Sequence, residues 1–570
     1  MGIWIIFAVI VAGIAIASVS SKGNRNRLEE EKIKDNWGKL QDNEYTSEEL
    51  ENISSYYKLV RGDSYYVDDI TWNDLEMDRL YKKMDISRSS IGREHLYKTL
   101  RIPKSDLHEL KTFNDSVEWM GYDEKTRYST QSRLDRLGFV KNFSFADHID
   151  TVQNLKPIGS GISILMDVLL AAAILFMIFV NAPAGIIMAV GIALASTAIY
   201  FKKKPAIEPF FFSLSQVSRM VRTAWDLKAI AGDYKNAPAG LRETIRNIDR
   251  YSEGLRGCIK GDWLIADSRS TGSPGEVFMN YIRMFTHVDI IHYNRAIPRM
   301  RGKKKEITGL YESFGFLETV ICTASFREAM DRYSFPKLYE AGEEEETAFE
   351  LKGVIHPLIE DAVPNSLVIE KGDEKDILIT GSNASGKSTF LKSVALNAIL
   401  SQCLATSLSE SYRAPVYRVY SSMSLRDDLA AGGSYYMVEI KSLKRIIDAA
   451  AKEDGAPVIC FVDEVLRGTN TVERIAASSA ILENLSRMNA LTFAATHDIE
   501  LTKLLESDYT NYHFREEMTD SGVEFSYKIL EGPATTRNAI ALLDNLGYDS
   551  EIIQKARKRA EEFTQTGVWR

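Results

Sequence analysis

The chain has 570 residues, enough for three or four domains, and an ordinary globular composition of 45% hydrophobic and 26% charged residues. Its formal net charge of −9 argues against a globally basic nucleic-acid coat, while leaving room for a local basic patch. The four cysteines (Cys258, Cys322, Cys403 and Cys460) form no C-x-x-C pair and have no histidine at metal-ligand spacing, so they read as buried free thiols in a reducing compartment.

Residues 3–20 are almost wholly apolar and just long enough to span a bilayer. No Lys or Arg precedes them, as a cleaved signal peptide would require, and Lys22, Arg25, Arg27, Lys32 and Lys34 follow. The pattern predicts an uncleaved transmembrane anchor over 1–21 with its N-terminus outside, then a charged juxtamembrane helix or linker over 22–62. Residues 63–158 and 203–345 place apolar residues at three- and four-residue spacing, the mark of helices. They read as one all-α region interrupted by a second apolar block, 159–202. Its apolar stretch, 159–201, breaks at Asn181-Ala-Pro-Ala-Gly185 and holds one charge, Asp167. Lys156 precedes it and Lys202-Lys-Lys204 follows, so it predicts a transmembrane hairpin with both ends cytoplasmic. Further on, Arg299, Arg301, Lys303, Lys304 and Lys305 are five basic residues in seven. They suit DNA phosphates, anionic lipid headgroups or a solvated turn. Residues 343–346 are an acidic run, read as a solvated loop.

From about 346 the pattern changes to alternating strands and helices. Residues 376–380, 458–462 and 490–494 are short apolar strands, and helical runs lie between them, which predicts a parallel sheet covered by helices. Directly after the first strand, residues 381–388 read Gly-Ser-Asn-Ala-Ser-Gly-Lys-Ser, a complete G-x-x-x-x-G-K-[ST] loop, and helical spacing resumes at Thr389. Backbone N–H groups of such a loop and the positive end of its helix face an anion, which makes a triphosphate the natural ligand. Lys387 is expected to reach the β/γ-phosphates and Ser388 to sit on Mg²⁺. The second strand ends in Asp463-Glu464: one carboxylate to hold the metal's hydration shell, one to polarise the attacking water. The third ends in Thr496-His497, placed like a γ-phosphate sensor. ATP and Mg²⁺ are the expected ligands.

Between these elements lies Asp427-Asp-Leu-Ala-Ala-Gly-Gly-Ser434-Tyr-Tyr-Met-Val-Glu439. The order of this segment, the phosphate loop, Asp463-Glu464 with Gly468-Thr469, and Ala495-Thr496-His497 resembles the ATPase domain of the MutS family. His356-Pro357, Val363-Pro-Asn365, Tyr527-Lys-Ile-Leu-Glu-Gly-Pro-Ala and the helical run 552–562 match as well. The resemblance covers about 350–562 and extends weakly upstream, where residues 71–77 and 90–103 look like the start of the family's helical core, or lever. It implies an α/β P-loop ATPase domain of ABC-like type with a parallel-rich sheet over 346–540, and C-terminal dimerisation helices over 541–570. It implies a nucleotide site formed by Gly381, Ser382, Asn383, Ala384, Ser385, Gly386, Lys387, Ser388 and Thr389, with Asn383 on the γ-phosphate. By the same resemblance Ser388 and Asp463 hold the metal, Glu464 activates water and His497 senses hydrolysis. Ser434 reaches the nucleotide of the partner subunit, so each site is complete only in a homodimer.

Two family features have no counterpart here. The mismatch readers carry an N-terminal domain with a Phe-x-Glu wedge, whereas Phe326-Arg-Glu328 and Phe514-Arg-Glu516 lie in the wrong domains. The long DNA-clamping helices are missing or much reduced. The expectation is a membrane-anchored, dimeric ATPase in a bacterial-type inner membrane with its soluble domains in the cytoplasm. Its output is DNA binding with a repair-related role, without mismatch recognition itself, or a mechanical membrane or envelope function without DNA. A transporter of the ABC class is disfavoured, because three spans make a poor path and no Leu-Ser-Gly-Gly-Gln signature occurs.

Overall fold

The computed structural model describes residues 30–140, 144, 157–259, 274–340, 347–372, 376–382, 385–423, 435–452, 455–467, 469–519, 522–534, 540, 543 and 547–566. The apolar run 3–20, the acidic run 343–346, Asn383, Ala384, Gly468 and the stretch 424–434 with Ser434 lie outside the described residues. The chain divides into two compact units: 1–62, 83–98 and 115–329 form the first, and 63–82, 99–114 and 330–570 the second.

The helices that matter below are α1 (Ser47–Val60), α2 (Asp69–Asp74), α3 (Ser90–Arg101), α4 (Gly161–Phe179), α5 (Ala182–Lys228), α6 (Val288–Met300), α7 (Lys304–Ala329), α8 (Lys387–Leu404), α9 (Tyr435–Ala450), α10 (Thr471–Ser486) and α11 (Ser550–Thr566). Helix α1 opens with a capping box, in which Thr46 and Glu49 exchange side-chain and backbone hydrogen bonds. In the first unit α7 is the central helix, buried along nearly its whole length. A buried polar network ties its neighbours to it. Glu312 meets the hydroxyl of Tyr56, His95 Nε2 at 3.2 Å and Lys98 Nζ at 2.8 Å. Burial works against charge on Glu312, but His95 and Lys98 outweigh it and hold the carboxyl well below the usual range. Glu318, one turn and a half further, is pushed up by burial to about 7 and accepts from Ser89 and from the backbone N–H of Arg88 at the start of α3.

Helices α4 and α5 form a hairpin that turns over few residues. Asn181 caps α5 by accepting from the Ala184 N–H at 3.0 Å, and Pro183 sits in its first turn, where a missing N–H costs nothing. A Cβ at Gly185 would lie 2.4 Å from Met177 Cα, so only glycine lets the two helices come this close. The apolar residues of the hairpin point outward: Ile178 is 61% exposed, Ile187 74% and Leu194 68%. Helix α5 does not stop at Lys202–Lys204. It runs on for 47 residues to Lys228, and its later turns bury Val217, Met220, Val221, Ala224 and Leu227. Where the apolar part ends, Tyr200 donates to Asp289 Oδ2 at 2.8 Å and Ser196 Oγ lies 3.0 Å from His287 Nε2, which joins α5 to the start of α6. The five basic residues 299–305 make the corner between α6 and α7. There Lys303 pairs with Glu306 at 2.7 Å, and Arg299 donates to the Gly257 carbonyl at 3.2 Å.

The second unit holds two main sheets. The larger has six strands in the order β12-β9-β4-β8-β7-β6: β4 (Asp376–Thr380), β6 (Arg418–Ser422), β7 (Val458–Asp463), β8 (Ala490–Ala495), β9 (Tyr509–His513) and β12 (Leu530–Glu531). All pairings are parallel except that of β12. The smaller sheet, of order β1-β5-β2-β3, comprises β1 (Lys337–Tyr339), β2 (Thr347–Val354), β3 (Asn365–Glu370) and β5 (Ser411–Pro415). Every residue of β4 is buried, as a central parallel strand requires. Asp376 starts it with its carboxyl on the Thr492 N–H at 2.7 Å, and burial raises that group to about 7. All four cysteines are buried free thiols, as read from the sequence.

Residues 63–76, read from sequence as the opening of the helical region, are part of this unit. The Tyr65 hydroxyl occupies both backbone groups of Val419 on the edge strand β6, donating to its carbonyl at 2.8 Å and accepting its N–H at 2.7 Å. Asp74, at the end of α2, accepts from Ser421 Oγ at 2.7 Å and the Met423 N–H at 2.9 Å.

Candidate nucleotide site

The parallel register brings three strand ends to one edge of the sheet. Ile379 of β4 and Asp463 of β7 both pair with Ala495 of β8. The bonds continue past the strands, with the Glu464 N–H on the Ala495 carbonyl at 2.9 Å and the Thr496 N–H on the Ile379 carbonyl at 3.0 Å. Ligands of open α/β sheets sit at this carboxyl end.

The loop after β4 needs its glycines. Gly381 has φ 140°, and a Cβ there would lie 2.6 Å from the Phe514 carbonyl oxygen. Gly386 is left-handed at φ 105° and stands immediately before α8. Lys387, buried at the start of α8, donates to the carbonyls of Gly381 at 2.7 Å and Ser382 at 2.8 Å. Ser385 closes the loop onto the same Ser382 carbonyl at 2.7 Å. The hydroxyl of Ser388 donates to Asp463 Oδ2. Burial raises the Asp463 carboxyl, and the Ser388 bond opposes that shift. Thr389 follows in the first turn of α8.

Glu464, the residue after β7, takes a left-handed φ of 54°. Its carboxylate lies 3.0 Å from His497 Nε2 and 2.5 Å from Arg467 Nε. The His497 hydrogen bond, with Arg467 beside it, holds Glu464 below the ordinary carboxylate range despite partial burial. His497 Nε2 is also 3.4 Å from Lys387 Nζ. The structure thus gathers Lys387, Ser388, Asp463, Glu464 and His497 into one cluster. Among the described residues, two buried oxygens at this edge, Asp463 Oδ1 and Ser382 Oγ, have no hydrogen-bond partner, which fits residues awaiting a cation and a phosphate.

Four residues join the cluster that the strand-end reading passed over. Tyr527, left-handed at φ 52°, lies beside the loop: a Cβ at Gly386 would meet its Cδ1 at 3.2 Å. Asn365 holds it there, donating to the Tyr527 carbonyl at 2.9 Å and accepting the Ile529 N–H at 2.9 Å. Arg467 and Glu439, which flank Glu464, are the other two. Sequence offered a sign of each, since Asn365, Glu439 and Tyr527 all lie in quoted family matches and Arg467 stands just before Gly468. The wedge-like tripeptides are excluded on packing grounds. Phe326 and Phe514 are each 2% exposed, and Phe514 packs on Phe390 behind the phosphate loop.

Residues 377–564 match the family model of MutS domain V. Similar proteins include the DNA mismatch repair protein MutS of Thermus thermophilus, 30% identical over 260 residues, which are 45% of this chain and 30% of that protein. The DNA mismatch repair protein MutS 2 of Halobacterium salinarum is 31% identical over 345 residues, 59% of this chain and 36% of its own length. A MutS of Natronomonas pharaonis is 34% identical over 214 residues, 36% of this chain and 24% of its own. The chain spans about a third or less of the length of the curated relatives it matches.

Proposed function

Through its domain V the chain belongs to the MutS family, and we propose that it is a membrane-anchored, homodimeric ATPase. The observation that carries the catalytic part is the meeting of Lys387, Ser388, Asp463, Glu464 and His497 at the carboxyl edge of the sheet. Lys387 turns from the Gly381 and Ser382 carbonyls to the β/γ-phosphates. The backbone N–H groups of the loop and the first turn of α8 face the same anion. Ser388 and Asp463 would hold Mg²⁺, which would neutralise charge on the transferred phosphoryl group when bound. Glu464 stays ionised at neutral pH because His497 and Arg467 favour its charged form. It can therefore take a proton from water aligned on the γ-phosphate, while His497 keeps its carboxylate oriented. Tyr527 offers an aromatic face beside the loop on which a base can stack. Asn383 and Ser434 keep the roles the family resemblance gives them, the second in the partner's site.

Membrane anchoring is supported by the hairpin of α4 and α5. Two helices long and apolar enough to cross a bilayer occupy 161–179 and 182–205, and their large apolar side chains face outward. The Lys-rich ends support a cytoplasmic side for the flanking domains, where ATP is. Closure of two ATPase domains on ATP and reopening on hydrolysis then biases the helical unit. DNA is the output that the relatives' names suggest, and the corner 299–305 is its candidate contact. The second reading, a mechanical membrane protein that binds no DNA, is favoured by two pairings at that corner, Lys303 to Glu306 and Arg299 to the Gly257 carbonyl, which already engage part of its charge.

Three measurements test these statements. Glu464→Gln is expected to bind ATP and dimerise while phosphate release falls at least about a hundredfold; near-normal turnover removes Glu464 from this role. After alkaline carbonate washing of membranes the protein is expected in the pellet, and release into the wash contradicts the hairpin as an anchor. Duplex binding by the detergent-solubilised chain is expected to weaken linearly in log–log form with salt. No binding at low salt selects the reading without DNA.

A further inference from the structure

The turn that carries Glu464 is an unfavourable piece of backbone. Glu464 has φ 54° and Leu466 φ 57°, two left-handed non-glycine residues within three positions. Such a turn keeps its shape only where the surroundings over-determine it. Three bonds do so. The Glu464 N–H reaches the Ala495 carbonyl at 2.9 Å, and the Ser478 hydroxyl of α10 donates to the Val465 carbonyl at 3.0 Å. The third is the bond from the Arg467 N–H to Glu439 Oε1 of α9 at 3.3 Å. Val465 and Leu466 add apolar anchoring among Leu443, Ile446 and Leu482.

Glu439 is an unusual choice for this task. It is 3% exposed, its Oε2 has no hydrogen-bond partner among the described residues, and burial raises its carboxyl above the ordinary range. A buried, half-satisfied carboxyl costs stability; leucine removes that cost and leaves the Arg467 N–H without its acceptor. Its helix is itself fixed in orientation. Six residues along α9, Arg445 pairs with Asp68 at 2.6 Å and donates to the Ser421 carbonyl on β6. Among the described residues, the charged groups that act on Glu439 are Arg467 and Glu464 on the turn. Glu464 in turn feels His497 after β8 and Lys387 of the phosphate loop.

We infer that Glu439 is a positioning residue for hydrolysis: it accepts the Arg467 N–H and so fixes the turn from which Glu464 and Arg467 present their side chains to each other and to the nucleotide. It touches neither phosphate nor water, and it acts through Glu464. The inference rests on the ATPase reading above. It implies that the oxygen acceptor, rather than the charge, is what the site needs. Glutamine keeps that acceptor; leucine removes it while filling the space.

The experiment measures phosphate release, affinity for a fluorescent ATP analogue and thermal melting on the full-length chain, for Glu439→Gln and Glu439→Leu. The expected result is a kcat for Glu439→Leu lowered about tenfold or more, with ATP affinity within about twofold and the melting midpoint not lowered. Glu439→Gln is expected to keep most of the wild-type kcat. Wild-type turnover by Glu439→Leu overturns the inference. So does a parallel loss of melting temperature and ATP affinity, which marks a purely structural residue, and so does an equal loss of kcat in both variants. Glu464→Gln is run alongside: normal turnover there faults the reading of the site, whereas its loss together with a normal Glu439→Leu faults Glu439 alone.

Discussion

The site depends on the register of three parallel strands. Because Ile379 and Asp463 share Ala495 as their partner across β4, β8 and β7, the residues that follow each strand emerge side by side. Shift any one strand by a residue and the pleat turns its side chains to the other face, separating Lys387 from Asp463 or His497 from Glu464. The fully buried β4, flanked on both sides by parallel neighbours, makes such a slip costly. Glycine at 381 and 386 then lets the chain leave β4 sharply enough to begin α8 beside the ends of β7 and β8.

The helical unit is built on a different principle. Its central helix α7 carries two glutamates: Glu312, part-buried and held ionised by His95 and Lys98, and Glu318, fully buried and raised by burial. Such networks specify one packing rather than adding much stability. Against this rigid polar centre stands the apolar hairpin, whose long helix α5 is exposed along its first half and buried along its second. A single unbroken helix of 47 residues therefore joins the hairpin to the helical unit.

Much of this was legible in the sequence because the signals were local. The strands at 376, 458 and 490 are unbroken apolar runs, and the structure places β4, β7 and β8 on them. The phosphate loop, Asp463-Glu464 and His497 were named from strand-end position, and register brings them together. What stayed hidden depends on distant partners. Residues 63–76 have helical spacing and read as part of the helical region. Only the bonds of Tyr65 to Val419 and Asp74 to Ser421 show that they finish the edge of the ATPase sheet. Helix α5 could not be read past Lys204 because its pattern changes there from apolar all round to one-sided, although the backbone continues. Glu439 is marked in the sequence only by the family match, since its task is to hold backbone N–H groups of a turn 28 residues away.

The central claim, a nucleotide site completed between two copies of this chain, is tested most directly by the specific rate of Mg²⁺-dependent phosphate release from the detergent-solubilised protein over a dilution series. A site shared between subunits predicts a rate per chain that rises with protein concentration and levels off where sedimentation shows the dimer with ATP. A rate per chain that stays constant down to concentrations at which only monomer sediments contradicts it.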